Sequence, residues 1–190
     1  LEAKWSAIYD THEHRITFRA FTGTFLHKDR SLMTSAMGWR MYWGSSDLLY
    51  DHLYFDRQYT GQNTSAQSNI DQGGFRTPTS IGTSDTWIAA LNTEIDFPFA
   101  LPLAAFASYG AAPVTLVTQD GKTTDWRGNW EAGIGLRLWR DMVEVWVPLA
   151  FSEDIQKEQE LRGFVFTDRI RFVLALEKMD PTQALRKLPH

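Results

Sequence analysis

The chain has 190 residues, 19 Lys and Arg against 23 Asp and Glu, a formal net charge of −4 and no cysteine. That length carries one domain with a sizeable core. With no basic run, nucleic-acid binding has no electrostatic footprint, and without cysteine there is neither a disulfide scaffold nor a thiolate metal site. No apolar run approaches the ~18 residues of a membrane helix. Barrel strands are shorter and alternate, so this does not exclude a membrane. The chain opens at "LEAKW" with neither an initiating Met nor a signal peptide, which reads as a mature form or a piece of something longer.

A period of two dominates from one end to the other. "AKWSAIY" (3–9) and "RITFRAFTGTFL" (15–26) read as strands flanking the polar turn "DTHEH". "LMTSAMGWRMYW" (32–43) aligns Met33, Met37, Trp39, Met41 and Trp43, and "SDLLYDHLYF" (46–55) is a further candidate. "WIAALNTEIDF" carries Trp87, Ala89, Leu91, Thr93, Ile95 and Phe97 on one face and Asn92, Glu94 and Asp96 on the other. "LPLAAFASYG" (101–110) follows a turn at Pro98–Pro102. "WEAGIGLRLW" sets Trp130, Ala132, Ile134, Leu136 and Leu138 against Glu131, Gly133, Gly135 and Arg137. In "MVEVWVPLAF" Val143, Val145, Val147, Leu149 and Phe151 line up, and in "DRIRFVLALEK" Ile170, Phe172, Leu174 and Leu176 oppose Arg169, Arg171 and Glu177. Polar stretches at 56–84, 111–128 and 152–167 read as long loops, and "DPTQALRKL" is the one helix candidate. This gives about eight or nine antiparallel strands over 1–178 and a tail at 179–190, with no repeat and no domain boundary.

Alternation alone leaves two orientations open. A soluble barrel or sandwich turns its apolar face inward, whereas a transmembrane barrel turns it toward lipid and lines its interior with the charged face. Strands of about ten residues, aromatics near strand ends (Trp43, Trp87, Tyr109, Trp130, Trp139) and short turns alternating with long loops fit the membrane case. Soluble lipocalin-like barrels share these features.

The order of "YFDRQYTGQ", "GGFRT", "DTWIAALNTEIDFP", "WEAGIGLRLWRDMVEVWVPLAFSEDI" and "DRIRFVLALEKMDPTQALRKL" resembles the barrel that ends some aminopeptidase-N-like (gluzincin) metallopeptidases of Gram-negative bacteria. It is also similar to the C-terminal half of barrels in the outer-membrane assembly and surface-antigen superfamily, where an arginine-bearing loop folds into the lumen. Thr77 follows Arg76 where that superfamily has glycine, and Ser108 stands where it has an acidic residue. The resemblance implies an all-β antiparallel transmembrane barrel in the bacterial outer membrane. Either about eight strands close alone, or the missing strands come from upstream or from a partner, and the resemblance favours the C-terminal part of a larger barrel. Its partners would be the lipid bilayer and an upstream domain or other outer-membrane subunits. Its role would be to anchor an attached domain, with a zinc metallopeptidase upstream. The alternatives are a protein-translocation or assembly barrel using the Arg76 loop, and a soluble lipocalin-like ligand-binding barrel.

On that footing the loop carrying Gly73, Gly74 and Phe75 dips inside, and Arg76 meets an interior carboxylate, Glu94 first and Glu131 second. An arginine in a confined interior needs such a partner, and the glycines allow close backbone approach. The plain alternative is a solvated loop with a surface arginine. No catalytic centre, cofactor or metal site is expected. "HEHRI" lacks the H-E-x-x-H spacing of a zinc helix. His12 and His14 have the spacing to share a metal on a strand, but their surroundings read as a solvated hairpin. Asp51, Asp56 and Arg57 read as a loop salt bridge rather than a paired-carboxylate site.

Overall fold

A computed structural model describes residues 1–25, 38–42, 66–99, 101–118, 121–139 and 142–175. The candidate strand at 46–55, the Asp51, Asp56 and Arg57 cluster, and the tail at 179–190 lie outside the described residues. The described chain forms a single antiparallel sheet of seven strands, each beside its sequence neighbour. These are β1 (Glu2–Ile8), β2 (Arg15–Thr24), β3 (Trp87–Asp96), β4 (Leu103–Thr118), β5 (Gly121–Trp139), β6 (Val143–Phe151) and β7 (Arg171–Leu174). A helix, α1 (Glu153–Leu161), and a short 3-10 turn (Phe166–Arg169) lie between β6 and β7.

Three expectations need correction. Residues 111–128 are not a loop: β4 and β5 pair without a break from Leu103↔Leu136 out to Thr118↔Gly121. β3 stops pairing at Ala111 and β6 at Glu131, so the outer part of this hairpin runs on as a two-stranded ribbon. The polar run "SEDIQKEQE" is a helix rather than a solvated loop, because Ile155 and Gln159, four apart, are both buried on one side of it. Of the strand expected at 32–43 only 38–42 falls within the described residues, and there Trp39 makes an isolated bridge to Ser84 rather than joining a ladder, with Met41 and Tyr42 beside it in the core.

The sheet curves so that Glu2 of β1, Asn92 of β3, Glu144 of β6 and Val173 of β7 line one cavity of about 250 Å³. The inner face is the charged one. Arg19, Asn92, Asp96, Glu131, Arg137, Glu144 and Arg171 are buried there. Leu91 (49 % exposed), Trp130 (45 %), Ile134 (38 %) and Leu149 (53 %) point the other way. An ordinary half-buried sheet does the reverse.

Rows of small residues make room for the large ones inside. Across β3 to β7 the register aligns Asp96, Ala104, Gly135, Trp146 and Arg171, and the adjacent row aligns Glu94, Phe106 and Gly133. Trp146 and Phe106 meet edge to face at 5.3 Å between ring centroids. A Cβ on Gly135 would strike the Trp146 ring. A Gly135→Ala substitution therefore overpacks the interior and should cost about 1–3 kcal/mol, read as a lower unfolding midpoint in urea.

Candidate functional site

The site grows from the segment 72–79, which lies against the inner face of the sheet. Gly73 donates its N–H to the Arg40 carbonyl (3.1 Å), and the Phe75 N–H donates to the Met41 carbonyl (2.9 Å), so this segment runs as a layer inside the sheet. Gly74 has a positive φ of 70°, and a Cβ there would sit 2.6 Å from Asn92 Oδ1. Only glycine suits that turn and that approach. Asn92 Nδ2 donates to the Gly73 carbonyl at 3.0 Å, and Arg19 Nη1 donates to the Gln72 carbonyl at 2.8 Å and to Asn92 Oδ1 at 2.9 Å. The other end of the Arg19 guanidinium forms a fork with Glu2, at 2.8 Å from Nε and 3.1 Å from Nη2.

Arg76 is fully buried and meets both expected carboxylates, but in different ways. Its Nη2 pairs with Glu94. Its backbone N–H donates to Glu131 Oε1, and that of Thr77 donates to Glu131 Oε2, both at 2.7 Å. Glu131, itself fully buried, thus grips two consecutive peptide groups as well as lying near a cation. The Arg76 guanidinium carbon stands 4.0 Å from the centroid of Trp146 and 4.4 Å from that of Phe106, close enough for cation–π attraction from both rings.

Arg137 on β5 extends the cluster. It pairs with Glu94 and, at 2.8 Å, with Asp96, and its Nε lies 3.6 Å from Glu144. Glu144 also accepts the Trp146 indole N–H at 3.1 Å. Glu94 therefore joins the loop arginine to the wall arginine. Neither the Arg137 bridge nor the Glu2–Arg19 fork is an expectation of the sequence reading. Their signal was present, since Asp96 and Arg137 fall on the polar faces already assigned, but period two gives a face and not a partner.

α1 braces the same loop from above. Glu158 accepts from the Ser80 N–H (3.0 Å) and from Thr79 Oγ1, and Gln159 Nε2 donates to the Pro78 carbonyl. At the opposite end of the strands, where the short β1–β2 and β3–β4 turns lie, Asp10 contacts His14. That hydrogen bond raises the His14 imidazole above its ordinary pKa and lowers the Asp10 carboxyl below its own.

No family model, no curated protein and no solved structure matches the chain. The cluster alternates charge and is packed against aromatic rings; Arg76 is hydrogen-bonded through Nη2 to Glu94, while its Nε and Nη1 are buried without a hydrogen-bond partner among the described residues. Glu131, Glu94 and Arg76 are engaged with one another and with the loop backbone, which suits them to holding the loop rather than to activating a substrate.

Replacing Glu131 by Gln removes one acceptor from two buried N–H groups. The expected cost is about 1–3 kcal/mol, with faster proteolytic nicking between residues 70 and 84. Urea unfolding and limited proteolysis of Glu131→Gln beside the parent chain measure both effects.

Proposed function

We propose that this chain is an outer-membrane β-barrel module that anchors an attached domain, with the lipid bilayer as its first partner. The observation that carries the reading is the polarity of the sheet: carboxylates and guanidinium groups are buried inside, packed around Trp146 and Phe106, while Leu91, Trp130, Ile134 and Leu149 are exposed outside. In water this arrangement exposes more apolar surface than a monomeric soluble protein tolerates, and in hydrocarbon it is the favoured one. It also weighs against the lipocalin-like alternative, which needs an apolar interior for its ligand.

The outer face has the zoning such a role requires. Leu91, Tyr109 and Trp130 share one cross-strand row, with Trp139 at the far end of β5. Nine residues separate Trp130 from Trp139, a rise of about 30 Å along the strand. At the usual tilt of roughly 40° that spans about 23 Å, close to the ~25 Å apolar band of such barrels. Between them lies Ile134, flanked by Ala105 and Val147.

A sheet with open edges is not stable in hydrocarbon, where each unsatisfied peptide group costs several kcal/mol. β1 and β7 are the end strands of the sheet among the described residues, and Gln67 and Ser68 bridge part of the β7 edge at Phe172; on this reading the rest of the edge is closed by further strands of this polypeptide or by another outer-membrane subunit. An upstream zinc metallopeptidase, as the sequence resemblance implies, is the attached domain this reading favours. The translocation alternative has less support, because the Arg76 loop is fastened to the wall at Glu94, Asn92 and Glu131 and braced by α1.

Substitution in the middle of the outer band separates lipid from water. Ile134→Arg should destabilise the chain in bilayers by about 2–4 kcal/mol, the cost of arginine near the midplane. Thr124→Arg, on the projecting ribbon, should change little. If Ile134→Arg shifts stability by less than ~0.5 kcal/mol, as at a water-facing site, and the parent chain remains monodisperse in detergent-free buffer, the membrane reading fails.

A further inference from the structure

The β1–β2 turn brings together three side chains that no part of the anchoring role uses. Asp10, His12 and His14 each offer a donor atom, and these atoms lie within 4.8 Å of one another. The turn is built to hold them there. Asp10 Oδ1 accepts the N–H groups of both His12 and His14 at 3.0 Å. Between the two histidines Glu13 takes a φ of 61°, a left-handed conformation uncommon for a side chain of its size. The result is that the His12 and His14 rings lie on one side, with centroids 5.9 Å apart. His14 Nε2 also reaches the Phe99 carbonyl at 3.3 Å, so this corner joins the β1–β2 turn to the β3–β4 turn. A cavity of about 490 Å³, bordered by His12, His14, Phe99, Leu103 and Arg137, opens beside the rings.

We propose that Asp10, His12 and His14 form a binding site for a divalent transition metal of the zinc class at this corner of the molecule. Two imidazoles and one carboxylate suit Zn²⁺, Ni²⁺ or Cu²⁺, whereas Ca²⁺ and Mg²⁺ require mostly oxygen ligands. Metal–ligand distances of about 2.0–2.2 Å place tetrahedral donors roughly 3.4 Å apart. The donors lie at most 4.8 Å apart, so His12, which is exposed, has to close by at most about 1.4 Å, within reach of a side-chain rotation, while Asp10 and His14, already in contact, open to admit the metal. The Asp10 carboxylate already faces His14, in position either to ligate directly or to orient that imidazole. The neighbouring cavity leaves room for water to complete the coordination. Zn²⁺ bound here would stiffen the hairpin and its link to Phe99. The inference is independent of the membrane reading, because the residues lie in a turn.

The test is a titration of the untagged, chelator-treated chain in detergent micelles with ZnCl₂ by calorimetry, repeated with CoCl₂ by visible absorption. One equivalent should bind, and MgCl₂ and CaCl₂ should not compete. His12→Ala and Asp10→Asn should each weaken Zn²⁺ affinity at least tenfold, while His52→Ala and His190→Ala leave it unchanged. The His12 side chain is exposed, with a weak contact to Thr11 at 3.5 Å beside its ring contact with His14, so its removal should leave the fold intact. The proposal is overturned by an absence of saturable Zn²⁺ binding, by full affinity in His12→Ala, or by loss of binding in His52→Ala or His190→Ala.

Discussion

Everything inside this molecule depends on how a buried carboxylate is satisfied. Glu131 sits on the inner face of β5 with no exposure to solvent, and an isolated charge there would cost several kcal/mol. Among the described residues, no neighbour on its own strand forms an ion pair with it. The donors come from a segment some 55 residues earlier in the chain, whose peptide groups at Arg76 and Thr77 close on its two oxygens. Placing that segment inside the sheet buries the Arg76 guanidinium in turn, and Glu94 with the faces of Trp146 and Phe106 then stabilises it. Each buried group makes the next one necessary.

The chain of requirements reaches the backbone. A loop cannot lie against a wall lined with Trp and Phe unless the strands beneath are thin, which is why Gly133 and Gly135 stand under Phe106 and Trp146. It cannot turn under Asn92 unless Gly74 takes a positive φ. Removing one member of such a network leaves an uncompensated charge, a far larger penalty than losing a surface pair. Interior and loop are accordingly expected to order together, with α1 fixing the outer side of the loop through Glu158 and Gln159. By contrast, the Lys157–Glu153 pair on the exposed side of α1 contributes little.

The outer face follows different physics. Among the described residues it carries no comparable network; its side chains are mostly apolar or aromatic, and its order comes from cross-strand contacts such as Trp5 stacked on Phe18 at 5.6 Å. A sheet that satisfies its charges internally and leaves its greasy side unpaired is complete only when something apolar covers that side. This is what links the interior cluster to the proposed anchoring role: the tighter the ion network holds the loop inside, the less apolar surface can be buried there instead.

The sequence by itself determined the antiparallel sheet, the two faces of each central strand, and the group of residues from which the interior contacts are drawn, since period two is a local property of the backbone. Gly73, Gly74 and Arg76 were legible as a loop with a reason to approach the wall, and Glu94 and Glu131 as carboxylates facing it. What only the tertiary structure decided is who meets whom. Arg137 reaches across β4 to Asp96, and Glu131 takes the loop's peptide groups rather than its guanidinium. Polar composition around 111–128 and 152–167 suggested loops, but cross-strand pairing made the first a ribbon, and burial of Ile155 and Gln159 against the rest of the fold made the second a helix. Burial of a face and pairing across tens of residues are set by curvature and register, and these belong to the whole sheet rather than to any stretch of the chain.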